Sequence, residues 1–293
     1  MKVAIVTYEG RGSYDSDNIV DEDRLLAGIL EEIGLVACFE VWSDPKVDWS
    51  GYSHILIKSP WDYFDRYAAF LAWCQKIKVL GIPVFNDIET VIWNSDKRYL
   101  LDVESRGFKI IPTRFISQNS WKGLEGFFDD FQADQLVLKP TVSGGAKNTF
   151  RLDRYSWSGQ AQTIQGLLEQ EDLMVQPFVK EVAEIGEHSY IYFNGKFSHA
   201  VLKSPQQGEF RVQHFFGGTI HPTQPSSDEL FYLQKIVQEF ASESLYARVD
   251  GVWVEGSFLI MELELIEPYL FLFTDRDAQS RYREAIATKL GLR

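Results

Sequence analysis

The stretch that most constrains the fold is ARVDGVWVEGSFLIMELE, residues 247–264, which runs on into LIEPYLFL. Its β-branched and aromatic residues alternate around Glu255-Gly256-Ser257, the pattern of an antiparallel hairpin. A three-residue turn sets Val254 opposite Phe258, Asp250 opposite Glu262 and Arg248 opposite Glu264. Glu262 and Glu264 then share one face of their strand, because side chains alternate with a period of two. Val249, Trp253, Leu259, Met261, Leu263 and Leu265 make the other face apolar. Toward the turn, Val252, Val254, Phe258 and Ile260 make the acidic face apolar as well. Strands apolar on both sides are normally covered on both. Like charges opposed in a covered sheet are costly unless a cation lies among them. Two readings stand: a sheet edge with solvated carboxylates, or acids gathered on a cation. Oxygen-only ligands suit a hard divalent ion, Mg²⁺ or Mn²⁺, and such an ion commonly holds substrate phosphates too. The second reading directs attention to a nucleotide site elsewhere in the chain.

At 293 residues the chain is long for a single core, so two or three lobes are expected. A net charge of −13 argues against general nucleic-acid binding and against an anionic membrane surface. No apolar run reaches the length of a membrane span, and MKVAIVTYEG reads as a first strand rather than a signal peptide. Cys38 and Cys74 lack metal spacing and read as buried thiols, so a cytoplasmic location is expected. The five histidines are scattered, with neither a HExxH helix nor a Gly-x-Ser-x-Gly elbow.

Residues 1–95 read strand, helix, strand, strand, helix, strand: KVAIVTY, a helix over 21–34, LVACFEVW, HILIKSP, a helix over 64–79 and GIPVFN. That order predicts an α/β lobe with a mainly parallel sheet. Gly10 and Gly12 begin a dinucleotide fingerprint, but Asp15 breaks it. Residues 96–111 hold a connecting helix, capped by Asn94 or Ser95 and stopped by Gly107. A small α+β unit follows over 112–180, and a strand-rich unit with a helix near 228–245 and a terminal helix over 277–290 fills 181–293.

Within this frame LVLKPTVSGGAKNTF, residues 136–150, delivers Lys139 from a strand to a loop containing Gly144 and Gly145. Backbone amides in such a loop can approach phosphate oxygens, although the Walker pattern is missing. A flexible hairpin with a surface lysine fits these residues equally well. Gln176-Pro177-Phe178-Val179 is a strand end whose free backbone groups could pair with a flat base, and Glu181, Glu184 and Glu187 follow it. Asn194-Gly195 is a hairpin turn. GEFRVQHFFGG then places Arg211 and Gln213 two apart.

The order of these pieces resembles the ATP-grasp superfamily of carboxylate–amine ligases, and within it the glutathione-synthetase-like group that includes D-cycloserine-forming ligases. The resemblance implies an α/β fold of three lobes: Rossmann-like, lid, and a C-terminal lobe with a mixed sheet, with ATP between the last two. It implies that Lys97 in NSDKRYLL and Lys139 in VLKP reach the phosphates, under a loop from Ser143 to Asn148. Gln176, Phe178 and Val179 would line the adenine slot, with Glu187, or in reserve Glu184, on the ribose. Arg211 and Arg248 would be the catalytic cations, and Asp250 and Glu262 the Mg²⁺ ligands. Glu264 stands where the family usually has asparagine and could add a third metal carboxylate. Lys203, Gln213, Trp61 and Asp62 are substrate candidates, with Arg11, Tyr14 and Tyr63 nearby in sequence to the last two or to the first loop. Trp61 and Tyr63 could equally pack at a lobe interface, and Glu267 could bind substrate or pair with Arg276.

The implied reaction uses ATP to phosphorylate a small-molecule carboxylate, which an amine then attacks, in an enzyme that can be a homo-oligomer. A kinase that stops after phosphoryl transfer and a non-catalytic ATP-binding protein are the alternatives.

Overall fold

The computed structural model describes residues 1–10, 21–206 and 218–292. The candidate residues Arg211 and Gln213, and likewise Arg11 and Tyr14, lie outside them.

The first lobe holds β1 (Lys2–Thr7), α1 (Glu22–Glu32), β2 (Val36–Val41), β3 (His54–Ser59), α2 (Tyr67–Leu80) and β4 (Val84–Phe85). Its sheet runs β2-β1-β3-β4 with every pairing parallel, as the alternation of strands and helices predicts. Gly81 ends α2 in the left-handed region, φ 67°, where glycine has no steric penalty. A short helix absent from the sequence reading, α3 (Ile88–Asn94), comes next, capped by Asp87. The connecting helix, α4 (Tyr99–Ser105), then starts three residues later than position 96, the start read from the sequence. The reason is that the expected caps are engaged elsewhere. Asn94 clamps the backbone of Leu263 and Leu265, and Ser95 donates to Ile92 O.

The lid contains β5 (Arg114–Ile116), α5 (Glu125–Asp130), β6 (Gln135–Pro140), β7 (Phe150–Asp153), α6 (Ala161–Leu168) and β8 (Leu173–Pro177). Its antiparallel sheet runs β5-β8-β6-β7. Among the described residues β7 is a short edge strand, paired with β6 alone. The lid has its own core, including Phe128, Leu138, Leu152, Ile164 and Val175.

The last lobe contains α7 (Lys180–Glu184), β9 (Glu187–Phe193), β10 (Lys196–Ser204), β11 (Thr219–Thr223), α8 (Ser227–Phe240), β12 (Tyr246–Val254), β13 (Ser257–Glu264) and α9 (Ala278–Lys289). Its antiparallel sheet runs β11-β10-β9-β12-β13. Asn194-Gly195 forms the expected two-residue turn, both residues at positive φ.

The β12–β13 hairpin corrects one expectation and retains another. Its turn has two residues, Glu255 and Gly256, so Val254 pairs with Ser257 and Trp253 with Phe258. A bulge beside Gly251 then restores the pairing of Asp250 with Glu262 and Arg248 with Glu264. Between bulge and turn the faces of β13 are therefore exchanged. Phe258 and Ile260 pack with Trp253 and Leu233, while Leu259 and Met261 join Val252 and Val182. Gly251 is required there, because a Cβ would meet Leu259 O and the Phe258 ring at 2.4 Å.

Candidate active site

The acidic face of β12 and β13 opens on a cavity of about 330 Å³ between the lid and the last sheet, with Trp61 and Tyr63 of the first lobe at its wall. Alternation along β12 carries Arg248 and Asp250 to that face, and the restored register brings Glu262 and Glu264 beside them. The sequence question of what cation sits among these acids has a direct answer in lysines and arginine. Arg248 donates to both Asp250 oxygens, Nε to Oδ1 at 3.0 Å and Nη2 to Oδ2 at 2.8 Å, and also binds Glu264. Lys203 of β10 lies 3.1 Å from Asp250 Oδ2 and also binds Glu187. Ser189 donates to Asp250 at 2.6 Å, and Lys97 lies 3.0 Å from Glu262.

These pairings set the protonation states. Burial alone would raise the Asp250 carboxyl, but Arg248 and Lys203 outweigh it and hold the group well below its ordinary range. For Glu262, likewise, burial is outweighed by Lys97 and Lys139, and the carboxyl is lowered. Glu264 goes the other way, up to about 7: burial, with Asp250 and Glu262 adding, overcomes Arg248. Glu267, with burial first and Glu264 next, is pushed up to about 8. Lys139 is lowered by burial, and Lys97 adds to the shift.

From the lid, β6 brings Lys139 into the cavity, half-buried and without a hydrogen bond or ion pair among the described residues. The loop after it is held from both sides. Lys97 Nζ donates to Ser143 O at 2.6 Å, so one lysine joins the loop to Glu262. Gly144 lies against Phe64, where a Cβ would meet the ring at 2.7 Å, and Lys147 pairs with Asp65. Ser143, Gly144 and Gly145 line the cavity as expected. At the end of β8, Gln176, Phe178 and Val179 line it too; Gln176 is fixed by Thr113 Oγ1 at 2.9 Å, and the Arg151 guanidinium lies 4.0 Å from the Phe178 ring centre.

Two candidates lie elsewhere. Asp62 accepts the Trp42 indole N–H at 2.6 Å and does not line the cavity. Glu184 ends α7 exposed to solvent, whereas Glu187 is buried and lines the cavity. Trp61 both lines the cavity and donates to Glu267 O at 3.2 Å, so it serves interface and wall together. The run Tyr269, Phe271, Phe273 also lines the site and was not singled out from the sequence, and Asn94, named there only as a helix cap, lines it too. In sequence, the aromatic run resembles ordinary core, and Asn94 resembles a helix cap.

The donor set at the acidic face is all oxygen, which suits a hard divalent cation. The Glu262 and Glu264 side chains remain 30% and 26% exposed toward the cavity, while Asp250 behind them is saturated by hydrogen bonds. No group of three metal-capable side chains is assembled among the described residues, because Arg248 and Lys203 stand among the carboxylates. Burial raises Glu264 and the neighbouring Asp250 and Glu262 charges add to it, and a divalent cation would offset that charge.

A family model for the N-terminal domain of D-cycloserine synthetase DcsG matches residues 3–86, and one for the prokaryotic glutathione synthetase ATP-grasp domain matches residues 103–265. The cycloserine biosynthesis protein DcsG of Streptomyces lavendulae is 28% identical over 278 residues, 88% of this chain and 90% of that protein. A glutathione synthetase of Prochlorococcus marinus is 31% identical over 113 residues, 38% of this chain and 36% of that one. The crystal structure of D-cycloserine synthetase DcsG superposes with a TM-score of 0.83 at 27% identity, covering 99% of this chain and 100% of that one. A D-alanine–D-alanine ligase from Bacillus anthracis shares the fold, with a TM-score of 0.67 at 11% identity, covering 99% and 96% of the two chains. Because the second family model spans more than half of its length, the chain belongs to the ATP-grasp domain family of prokaryotic glutathione synthetases.

Proposed function

We propose that this protein is an ATP-dependent ligase that joins a small-molecule carboxylate to an amine. The observation that carries the reading is the convergence on one cavity of Lys97, from the connecting segment, and Lys139, from the lid, with Arg248 and the acidic pair of the hairpin. Membership of the family implies use of ATP and of a divalent cation. The adenine would lie against the backbone of Gln176 to Val179, with Glu187 on the ribose. Lys97 and Lys139 would hold the phosphates beneath the Ser143–Gly145 loop, whose amides can approach them closely. Glu262 and Glu264, with Asp250 behind, would hold the cation, for which Mg²⁺ is the proposed identity. Bound there, it would neutralise the triphosphate and polarise its terminal phosphorus.

The substrate carboxylate oxygen would attack the γ-phosphorus; its bond to the ADP oxygen breaks, leaving an acyl phosphate. The amine nitrogen then attacks the acyl carbon, the bond to the phosphate oxygen breaks, and phosphate and a proton depart. Arg248, fixed by Asp250 and Tyr269 O, would offset charge on the transferring phosphoryl group without reorganising. Arg211 would assist as a second cation. The closed glycine loop would keep water from the acyl phosphate. The DcsG relatives point to an amine and an acid of amino-acid size.

Measuring ADP and phosphate release with acid and amine together, and with each omitted, tests this function. A ligase releases free phosphate in step with a new C–N bond only when both are present. A stable phosphorylated product from the acid alone would instead establish a kinase.

A further inference from the structure

The stretch SPWDYFD, residues 59–65, leaves the end of β3 and touches both of the other lobes. Trp61 donates to Glu267 O of the last lobe at 3.2 Å. Phe64 and Asp65, on a 3₁₀ turn over Tyr63–Arg66, meet the lid instead. The Phe64 ring lies against Gly144, where a Cβ would come within 2.7 Å of it. Asp65 pairs with Lys147, whose Nζ also lies 5.7 Å from the Phe64 ring centre. Both contacts fall on the tip of the glycine loop. Its base is held separately: Lys97 N donates to Thr141 O at 2.8 Å, and Lys97 Nζ to Ser143 O at 2.6 Å.

The turn presents these two side chains from a fixed base. Asp62 accepts the Trp42 indole N–H at 2.6 Å, and the Arg66 guanidinium lies 5.1 Å from the Trp42 ring centre. Tyr63 is buried on Phe70, ring centres 4.8 Å apart, and its N–H donates to Pro60 O at 2.9 Å. The loop tip, by contrast, has an unfavourable backbone. Ala146 and Asn148 sit at φ 57° and 52°, a left-handed region that is costly for alanine. Contacts from outside the loop offset such a cost. In this conformation Ser143, Gly144, Gly145 and Ala146 all line the cavity.

We propose that Phe64 and Asp65 are positioning residues: through Gly144 and Lys147 they hold the glycine loop in the conformation that grips the nucleotide phosphates. This rests on the ligase reading for the identity of the nucleotide. Asp65 acts without lining the cavity itself. A loop already in place spares the bound nucleotide the cost of ordering it. Removing the two contacts therefore weakens nucleotide binding and leaves the loop open more of the time.

The test is calorimetry on the full chain with Mg²⁺ and a non-hydrolysable ATP analogue, which needs no knowledge of the other substrates. Asp65→Ala should raise Kd roughly two- to fivefold, the scale of an exposed ion pair, and Phe64→Ala should raise it further. Without nucleotide, trypsin should cut after Lys147 faster in both variants than in the wild type. Asp65→Lys and Lys147→Asp should each weaken binding. The double exchange should return Kd to within about twofold of the wild type, a rescue that a general structural defect would not show. This exchange decides the matter should Phe64→Ala fail to fold. Unchanged Kd and unchanged cleavage in Asp65→Ala would overturn the proposal. So would a double exchange that binds as weakly as Lys147→Asp alone, which would make Lys147 a phosphate ligand in its own right. The ligase reading would stand in both cases. A wild type that does not bind the analogue would overturn that reading as well.

Discussion

At the scale of single residues, the site is organised by which charges are satisfied internally. Asp250 is saturated by an arginine, a lysine and a serine, so it serves as the anchor for Arg248 and Lys203. Lys139 is the converse, a half-buried ammonium whose charge has no hydrogen bond or ion pair among the described residues. Lys139→Ala should therefore cost no folding stability, while turnover falls by roughly 10²–10³-fold, the scale of removing one preorganised charge from a transition state. Denaturant midpoints and ADP-release rates measured on the same preparation check this. Glu267 supplies a pH prediction. Its folded value, about 8, lies above the ordinary 4.5, so the folded state binds the proton more tightly than the unfolded chain does. That contribution is fully present below the ordinary value and is lost as pH rises toward 8. Asp250 and Glu262, held low, have delivered their full stabilisation by the start of this window. In the ligand-free protein Glu267 and Glu264 both act to lower thermal stability as pH rises from 5 to 8, against half-buried His188 and buried His199, which act the other way. Glu267→Gln should make the melting temperature fall less, or rise more, across that range than in the wild type, and parallel melts are the measurement.

At the scale of elements, the hairpin shows how much of a site can be legible and why the rest is not. Alternation around Glu255-Gly256 revealed two strands and an acidic face, and the pairing of Asp250 with Glu262 is present. The turn length was misread, and a bulge compensates. A bulge is selected by tertiary packing around one glycine, here the Phe258 ring and Leu259 O against Gly251, which a periodicity argument does not contain. Gly251→Ala should destabilise the protein by about 2–4 kcal/mol, as overpacking against backbone does, and should lower activity further by shifting Glu262 relative to Asp250. Chemical denaturation and ADP release measure the two effects. The connecting helix follows the same logic. Asn94 has the character of a cap, but long-range hydrogen bonds to β13 claim it. Asp62 follows SPW as a substrate residue would, yet it is bound to Trp42. Lys139, the glycine loop and the Gln176–Val179 strand end stood out as candidates because each lies at the end of a strongly patterned strand, whereas Lys97, between α3 and α4, was reached only through the family resemblance.

At the scale of the whole molecule, the first and last lobes share one core, in which Val3, Ile5 and Leu26 pack with Ile191, Phe193 and Tyr282. The lid keeps a separate core, an arrangement suited to moving as a unit over bound nucleotide. The shared interface is closed by a buried ion pair, Lys58 with Glu22 at 3.1 Å, whose carboxylate also accepts Leu270 and Leu272 N–H. Glu22→Ala would leave a buried lysine uncompensated and should cost about 3–5 kcal/mol, measured by unfolding. It should also loosen the segment that presents Glu267 and Tyr269. The central claim is that Lys97, the lid lysine Lys139 and the hairpin carboxylates act together on one triphosphate. A crystal structure with Mg²⁺ and a non-hydrolysable ATP analogue tests it most directly. The expected result is adenine on the Gln176–Val179 strand end, phosphates between Lys97 and Lys139, and the metal on Glu262. A nucleotide bound elsewhere, or one whose phosphates leave Glu262 and Lys139 untouched, would contradict it.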